Sequence, residues 1–341
     1  MRHLQLLILL FPFSLFSFDE FELNKTLKNW EKEKSNRTIA LITSPSSGKI
    51  EYAYAKKNAF TKKLPAGSIL KTLSSFVFLA NPEKFNVSLE KNFTCNGKFE
   101  EPSLNYFTIE DKEKFNLIQN EKSGKYYFRC SVANGHGEIT IPKALALSCN
   151  AYYLHFASLN PDFFYRTLVN SWKLNEGTGA SFDPISIHPI SKEEHGSPFT
   201  STLASIGDAG KITVTALKLA QIYGAIFAET PILKPILKGE TPEKIYPFPY
   251  SETLRGQIKE ALRLTITEGT LKNLHLKNTS IQILGGKTGT PTQDGGKFQT
   301  HGWNILYFQK GDTPYLLVVF IEKGSGKKEA MEVSTLILNL L

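Results

Sequence analysis

Ser68 and Lys71 stand three positions apart, just after Pro65-Ala66-Gly67 and just ahead of an apolar stretch. On a helix, positions i and i+3 share a face, so this spacing sets a hydroxyl beside an amine one turn away. A serine hydroxyl attacks poorly unless a neighbour takes its proton. Lysine can take it when burial and a second cation depress its pKa. A helix start also favours negative charge developing near Ser68. Two further motifs supply what such a pair lacks. Ser148-Cys149-Asn150 offers a second hydroxyl to relay a proton and an amide that both donates and accepts. Lys287-Thr288-Gly289-Thr290 follows Gly285-Gly286 at the end of an expected strand. A cation flanked by hydroxyls suits a carboxylate, and Gly289 lets another backbone approach closely. The Thr290 N–H can join the Ser68 N–H as an oxyanion hole, the largest contribution to acyl transfer. Pro291 has no N–H to give. Taken singly, each motif also fits a solvated helix end or a Gly-rich hairpin.

The elements that must position these groups follow from the pattern of apolar residues. A polar stretch to about Lys34 reads as helix. Thr38 to Thr43 reads as a strand, Ser44 to Gly48 as a turn, and Lys49 to Ala55 as the hairpin partner. A helix is expected from about Ser68 to Leu79. Lys143 to Ala157 is helical in pattern, as is Thr213 to Ala228 with Thr215 as N-cap, and Ser251 to Thr267 ending before Gly269. Strands return at Ile281 to Thr290, Gly302 to Gln309 and Pro314 to Glu322, and Lys328 to Leu341 closes the chain as a helix. Two strands open the fold and three close it. The expected fold class is α+β: an antiparallel five-stranded sheet flanked by helices, interrupted by a helix-rich subdomain, with the cleft at their junction.

Composition narrows the function classes. The 341 residues suffice for a large buried core, and their apolar and charged fractions are ordinary for a globular protein. Arg2 and His3 precede an apolar run from Leu4 to Phe16, the pattern of a secretory signal, with cleavage expected after Ser17. The run is shorter than the roughly 20 residues that span a bilayer comfortably. The expected division is therefore 1–17 as signal peptide and 18–341 as the working domain. The sheet subdomain covers about 36–79 and 276–341, and the insertion about 80–275. The net charge of +8 comes with Lys and Glu interleaved, as in Glu31-Lys32-Glu33-Lys34, which reads as solvated surface. Nucleic acid is not an expected partner, whereas peripheral contact with an acidic envelope surface fits the charge. The cysteines are Cys95, Cys130 and Cys149, which allow one disulfide and one leftover thiol in an exported chain. Their spacing fits no zinc pattern and there is no HExxH pair, so the expected metal set is none.

The order SxxK, SxN, KTG is far more specific than any one motif. From about residue 36 to the C-terminus the chain resembles the transpeptidase domain of penicillin-binding proteins, which carry these motifs in this order. Weaker segments agree. Gly135-His136-Gly137 with Ala144-Leu145 resembles the approach to the family's second motif, and Ile206-Gly207-Asp208-Ala209-Gly210 its Ile-Gly-Gln-Gly segment, altered by Asp208 and Ala209. Gly302-Trp303 and the apolar strand from Pro314 to Phe320 fit its last two strands.

The resemblance implies roles. Ser68 would be the acylated nucleophile and Lys71 its base, with Ser148 and Asn150 lining the opposite side of the cleft. Lys287, Thr288, Gly289 and Thr290 would receive the carboxylate end of a D-alanyl-D-alanine stem peptide of peptidoglycan, or of a β-lactam. No cofactor is implied. Cys95 and Cys130 sit where some relatives carry a cysteine pair, so a Cys95–Cys130 disulfide is expected, with Cys149 free and turned into the core. His136 is expected as a packed or loop residue and Trp303 as core. The family's large members carry a pedestal or glycosyltransferase domain that does not fit ahead of the first strand here, which points to a small accessory enzyme at the periplasm or the outer face of the cytoplasmic membrane. The activity expected is D,D-transpeptidase or D,D-carboxypeptidase. The alternatives are a serine β-lactamase, or a non-catalytic penicillin-binding sensor or scaffold.

Overall fold

The computed structural model describes residues 18–108, 112–113, 117–180, 183, 198–207, 212–292 and 300–341. The expected signal over 1–17 and the Asp208-Ala209-Gly210 part of the Ile-Gly-Gln-Gly-like segment lie outside these residues. Along the chain run α1 (Glu20–Lys34), β1 (Thr38–Ser44), β2 (Lys49–Tyr54) and, after a 3-10 turn over Gly67–Ile69, α2 (Leu70–Ala80). Then come β3 (Phe93–Cys95), β4 (Tyr126–Arg129), β5 (Gly137–Ile139), α3 (Ile141–Leu147), α4 (Asn150–Ser158), α5 (Ala216–Ala228) and α6 (Glu252–Thr267). The chain finishes with β6 (Ile281–Gly289), β7 (Gly302–Lys310), β8 (Thr313–Ile321) and α7 (Glu329–Leu340).

The fold class is the expected α+β one. A five-stranded antiparallel sheet has the order β6-β7-β8-β1-β2, so the strand that opens the sheet in sequence pairs with the one that closes it. Both faces are covered, which is why β1 and β8 read as nearly continuous apolar runs rather than alternating ones. Ile39 and Leu41 of β1 join Leu316, Val318 and Phe320 of β8 in one core, against α2, α5 and α6. Ala40, Ile42, Leu317, Val319 and Ile321 face the other way, against Leu23, Leu27 and Trp30 of α1 and Val333 and Ile337 of α7. A change of register by one residue would exchange these two sets, so the pairing Ile39↔Phe320 is fixed by both cores at once.

Local signals act where the sequence suggests. Asp19 caps α1 by accepting from Phe21 and Glu22 N–H. Thr215 caps α5 through Lys218 N–H, and Ser251 caps α6 through Leu254 N–H, each worth about 1 kcal/mol. One expectation fails. The helical pattern from Lys143 to Ala157 is two helices, because Ser148 takes a left-handed conformation (φ 59°) that ends α3. Cys149 then caps α4, its sulfur accepting from Tyr152 N–H at 3.5 Å. The short pair β3–β5 and the strands around β4 are further features that the sequence pattern did not reveal.

Candidate active site

Three elements bring the motifs together. The 3-10 turn and first turn of α2 carry Ser68 and Lys71, the break between α3 and α4 carries Ser148 and Asn150, and β6 carries Lys287 to Gly289. The turn holding Ser68 is pinned on both sides. Gly67 (φ 57°) donates its N–H to Gly207 O at 3.1 Å, and a Cβ there would lie 2.9 Å from Pro291. On the β6 side, a Cβ on Gly289 would lie 3.1 Å from Ile69 Cγ2 and 3.3 Å from Trp303 Cβ. Gly289 thus lets the strand end close onto the serine-bearing turn. Trp303 is core, as expected, and its Nε1–H donates to Pro65 O at 2.8 Å, tying β7 to the same turn.

Lys71 is wholly buried, and four oxygens surround its Nζ: Ser68 Oγ at 2.8 Å, Ser148 O at 2.9 Å, Asn150 Oδ1 at 2.5 Å and Ser148 Oγ at 3.3 Å. Ser148 O and Asn150 Oδ1 can only accept. They match the two N–H groups of a neutral amine, which leaves its lone pair free for the Ser68 hydroxyl proton. Tyr153 stands beneath the amine, with its ring centroid 5.8 Å from Nζ and its hydroxyl bonded to Ser75 Oγ at 2.6 Å.

Lys287, also wholly buried, reaches the same hydroxyl from the other side, with Nζ 2.9 Å from Ser148 Oγ and 3.0 Å from Thr288 O. Burial, then the charges of Lys71 and Lys327, holds the Lys287 amine well below the ordinary lysine range. Two buried amines bridged by one hydroxyl repel each other, so the pair carries its second proton less readily than two isolated lysines. Thr288 Oγ1 lies 2.8 Å from Thr270 Oγ1, and exposed Thr290 accepts from Gly326 N–H at 3.1 Å. The structure therefore brings Ser68, Lys71, Ser148, Asn150 and Lys287 into one hydrogen-bonded set, with Thr288, Gly289 and Thr290 continuing the same strand edge. Thr270, Ser75, Tyr153 and Lys327 escaped the sequence reading, since none belongs to a recognisable spacing.

The expected Cys95–Cys130 disulfide is not formed, and all three cysteines are free and buried. The two sulfurs instead share His136 as a hydrogen-bond partner. His136 Nδ1 lies 3.5 Å from both Cys95 Sγ and Cys130 Sγ, and Cys149 Sγ closes on Cys130 Sγ at 3.7 Å. A hydrogen bond from the Cys149 thiol, with His136 helping, pulls the Cys130 thiol down, while the same contact pushes Cys149 far up. The four side chains form one cluster directly behind the second motif.

Residues 31–339 match the family described as the penicillin binding protein transpeptidase domain. No curated protein sequence matches the chain. Among solved structures, the transpeptidase domain of Burkholderia pseudomallei penicillin-binding protein 3 aligns over 94% of this chain and 92% of its own, at 16% identity and a TM-score of 0.69. Pseudomonas aeruginosa PBP2, solved in complex with WCK 5153, aligns over 93% of this chain and 76% of its own, at 14% identity and a TM-score of 0.70. Helicobacter pylori PBP2, solved in complex with MreC, aligns over 92% of this chain and 62% of its own, at 17% identity and a TM-score of 0.67. At these identities the likeness to solved structures speaks to the fold alone.

Proposed function

The chain belongs to the penicillin-binding protein transpeptidase family, and from that premise we propose that it is a serine acyl-transferase acting on D-alanyl-D-alanine peptides of peptidoglycan through an acyl-enzyme on Ser68. The observation that carries this reading is the convergence of Ser68 Oγ, Asn150 Oδ1 and the Ser148 oxygens on buried Lys71, with buried Lys287 behind Ser148. Neutral Lys71 takes the Ser68 proton as Oγ attacks the carbonyl between the two D-alanines. The Ser68 and Thr290 N–H groups receive the developing oxyanion. Lys71 returns its proton through the Ser148 hydroxyl to the amide nitrogen, the C–N bond breaks, and D-alanine leaves. An acceptor amine or water then takes the acyl group from Ser68. Lys287 acts on this relay through Ser148, and the hydroxyls of Thr288 and Thr290 with the charge of Lys327 draw the substrate's terminal carboxylate to the strand edge.

Export to the periplasm or the outer face of the cytoplasmic membrane is part of the same reading, since that is where peptidoglycan peptides are found. Among the described residues no helix is long and apolar enough to cross a membrane. The experiment is to incubate the protein with a synthetic stem peptide ending in D-Ala-D-Ala, with and without an amine acceptor, and to follow D-alanine and the peptide products by mass spectrometry. A cross-linked product marks a transpeptidase and a shortened peptide a carboxypeptidase. Failure to release D-alanine under either condition refutes both.

A further inference from the structure

We propose that Cys95, Cys130, His136 and Cys149 bind one zinc ion in a closed, tetrahedral site that fastens the Ser148-Cys149-Asn150 motif to the small strands beside it. Each side chain offers one ligand atom, and the four atoms all lie within 4.8 Å of one another. A tetrahedral zinc with Zn–S of about 2.3 Å and Zn–N of about 2.1 Å sets sulfurs about 3.8 Å apart and sulfur from nitrogen about 3.6 Å apart. The observed Cys130–Cys149 separation is 3.7 Å, and Cys95 and Cys130 both stand 3.5 Å from His136 Nδ1. Three of the six ligand-atom separations thus already match the edges of a coordination tetrahedron, and the other three lie within 4.8 Å. Three thiolates and an imidazole select zinc over calcium, magnesium or manganese, which prefer oxygen. Four protein ligands leave no open position for substrate or water, so the site is structural.

The backbone is built around this cluster. Gly97 (φ 91°) and Gly135 (φ 83°) bring the Cys95 and His136 segments into contact. A Cβ on Gly97 would lie 2.0 Å from Ala133 O, and one on Gly135 would lie 1.9 Å from Cys95 O. Cys130 N–H donates to Gly97 O at 2.8 Å, and Cys95 pairs with Gly137 across β3 and β5. These strands have only three or four residues each, too few to hold a fixed position by themselves. A metal joining them gives the missing rigidity. One of its ligands, Cys149, lies between the residues whose oxygens hold Lys71, so the ion fixes Ser148 and Asn150 without touching substrate. In an oxidising compartment, adjacent thiols tend to be lost to disulfides, and coordination protects them. Binding releases the thiol protons to solvent and needs no redox partner.

The test uses the reduced full chain, purified without chelator and without a histidine tag, and measures metal content by plasma mass spectrometry. The expected result is about one zinc per chain. Cobalt(II) substituted for zinc should give thiolate charge-transfer bands and the intense visible d–d absorption of a tetrahedral sulfur-rich site. H136Q and C149S should each lose tight metal and these bands. Should either variant fail to fold, the cobalt titration of the unaltered protein decides alone. Absence of stoichiometric metal, with equimolar zinc or cobalt leaving all three thiols freely reactive, overturns the proposal. So does a Cys130–Cys149 disulfide as the stable state of protein prepared with zinc present. Neither result bears on Ser68 acylation, which penicillin labelling reads separately.

Discussion

Ser148 is the residue at which chemistry and backbone strain meet, and its replacement by Ala and by Gly separates the two. Its hydroxyl accepts from Lys287 at 2.9 Å and lies 3.3 Å from Lys71. Its backbone sits at φ 59°, a left-handed conformation that non-glycine residues adopt at a cost of about 1–2 kcal/mol. Ser148→Ala keeps that strain and removes the oxygen, leaving buried Lys287 with Thr288 O as its described partner. A hydrogen bond to a charged group contributes about 1.5–3 kcal/mol, which bounds the stability loss. Ser148→Gly loses the same hydrogen bond but relieves the strain, offset by about 0.4–1 kcal/mol of added freedom in the unfolded chain. The glycine variant is therefore expected to be more stable than the alanine variant by about 0.5–1 kcal/mol in urea unfolding. If Ser148 relays the proton, both variants lose about 10²–10⁴-fold in the rate of acylation by penicillin. Acylation rates within a few-fold of the unaltered protein in both variants would refute the relay, and a glycine variant no more stable than the alanine one would refute the strain argument.

Gly289→Ala should slow acylation and cost about 1–3 kcal/mol of stability, because its Cβ would press on Ile69 and Trp303 and push the strand end off the serine turn; unchanged stability and labelling would contradict the close approach. Lys287 has a pKa depressed by burial and by Lys71 and Lys327, so the unfolded chain binds more protons than the folded one between that depressed value and the ordinary 10.5. Stability should then rise with pH through this window, by up to about 1.4 kcal/mol per pH unit, and urea titrations should show the slope flattened in Lys287→Met. The penicilloyl adduct should persist for hours: the described side-chain hydrogen bonds of Ser68, Ser148 and Asn150 go to amine and carbonyl groups, and an amide does not titrate usefully as a base for water. An adduct turned over within seconds would favour a β-lactamase.

The sheet was legible because its strands are short apolar runs separated by turn residues, and the pairing of the first with the last follows from needing one shared core. The first motif of the candidate site was legible because Ser68-Ile69-Leu70-Lys71 encodes the Ser68–Lys71 contact within a single helical turn. The second motif was legible only in part. Apolar periodicity runs on from Lys143 to Ala157, and nothing in it marks the left-handed break at Ser148 that aims both Ser148 oxygens at Lys71. The resemblance and the export signal point to a Cys95–Cys130 disulfide, whereas the gathering of Cys95, Cys130, His136 and Cys149 depends on strands too short to carry a periodic signal. Gly135-His136-Gly137 and Cys95-Asn96-Gly97 were the available clues, since glycines beside potential ligands permit tight turns around them. The Thr270–Thr288 contact depends wholly on the packing of the α6 end against β6.

The central claim is that Ser68 is the acylated nucleophile. Intact-mass spectrometry of the protein mixed with penicillin, followed by peptide mapping, tests it directly. The account predicts a single penicilloyl adduct on the peptide carrying Ser68, and none on a Ser68→Ala protein whose circular dichroism and unfolding are those of a folded chain. An adduct of the same size on the Ser68→Ala protein, or one mapped to another residue of the unaltered chain, would contradict it.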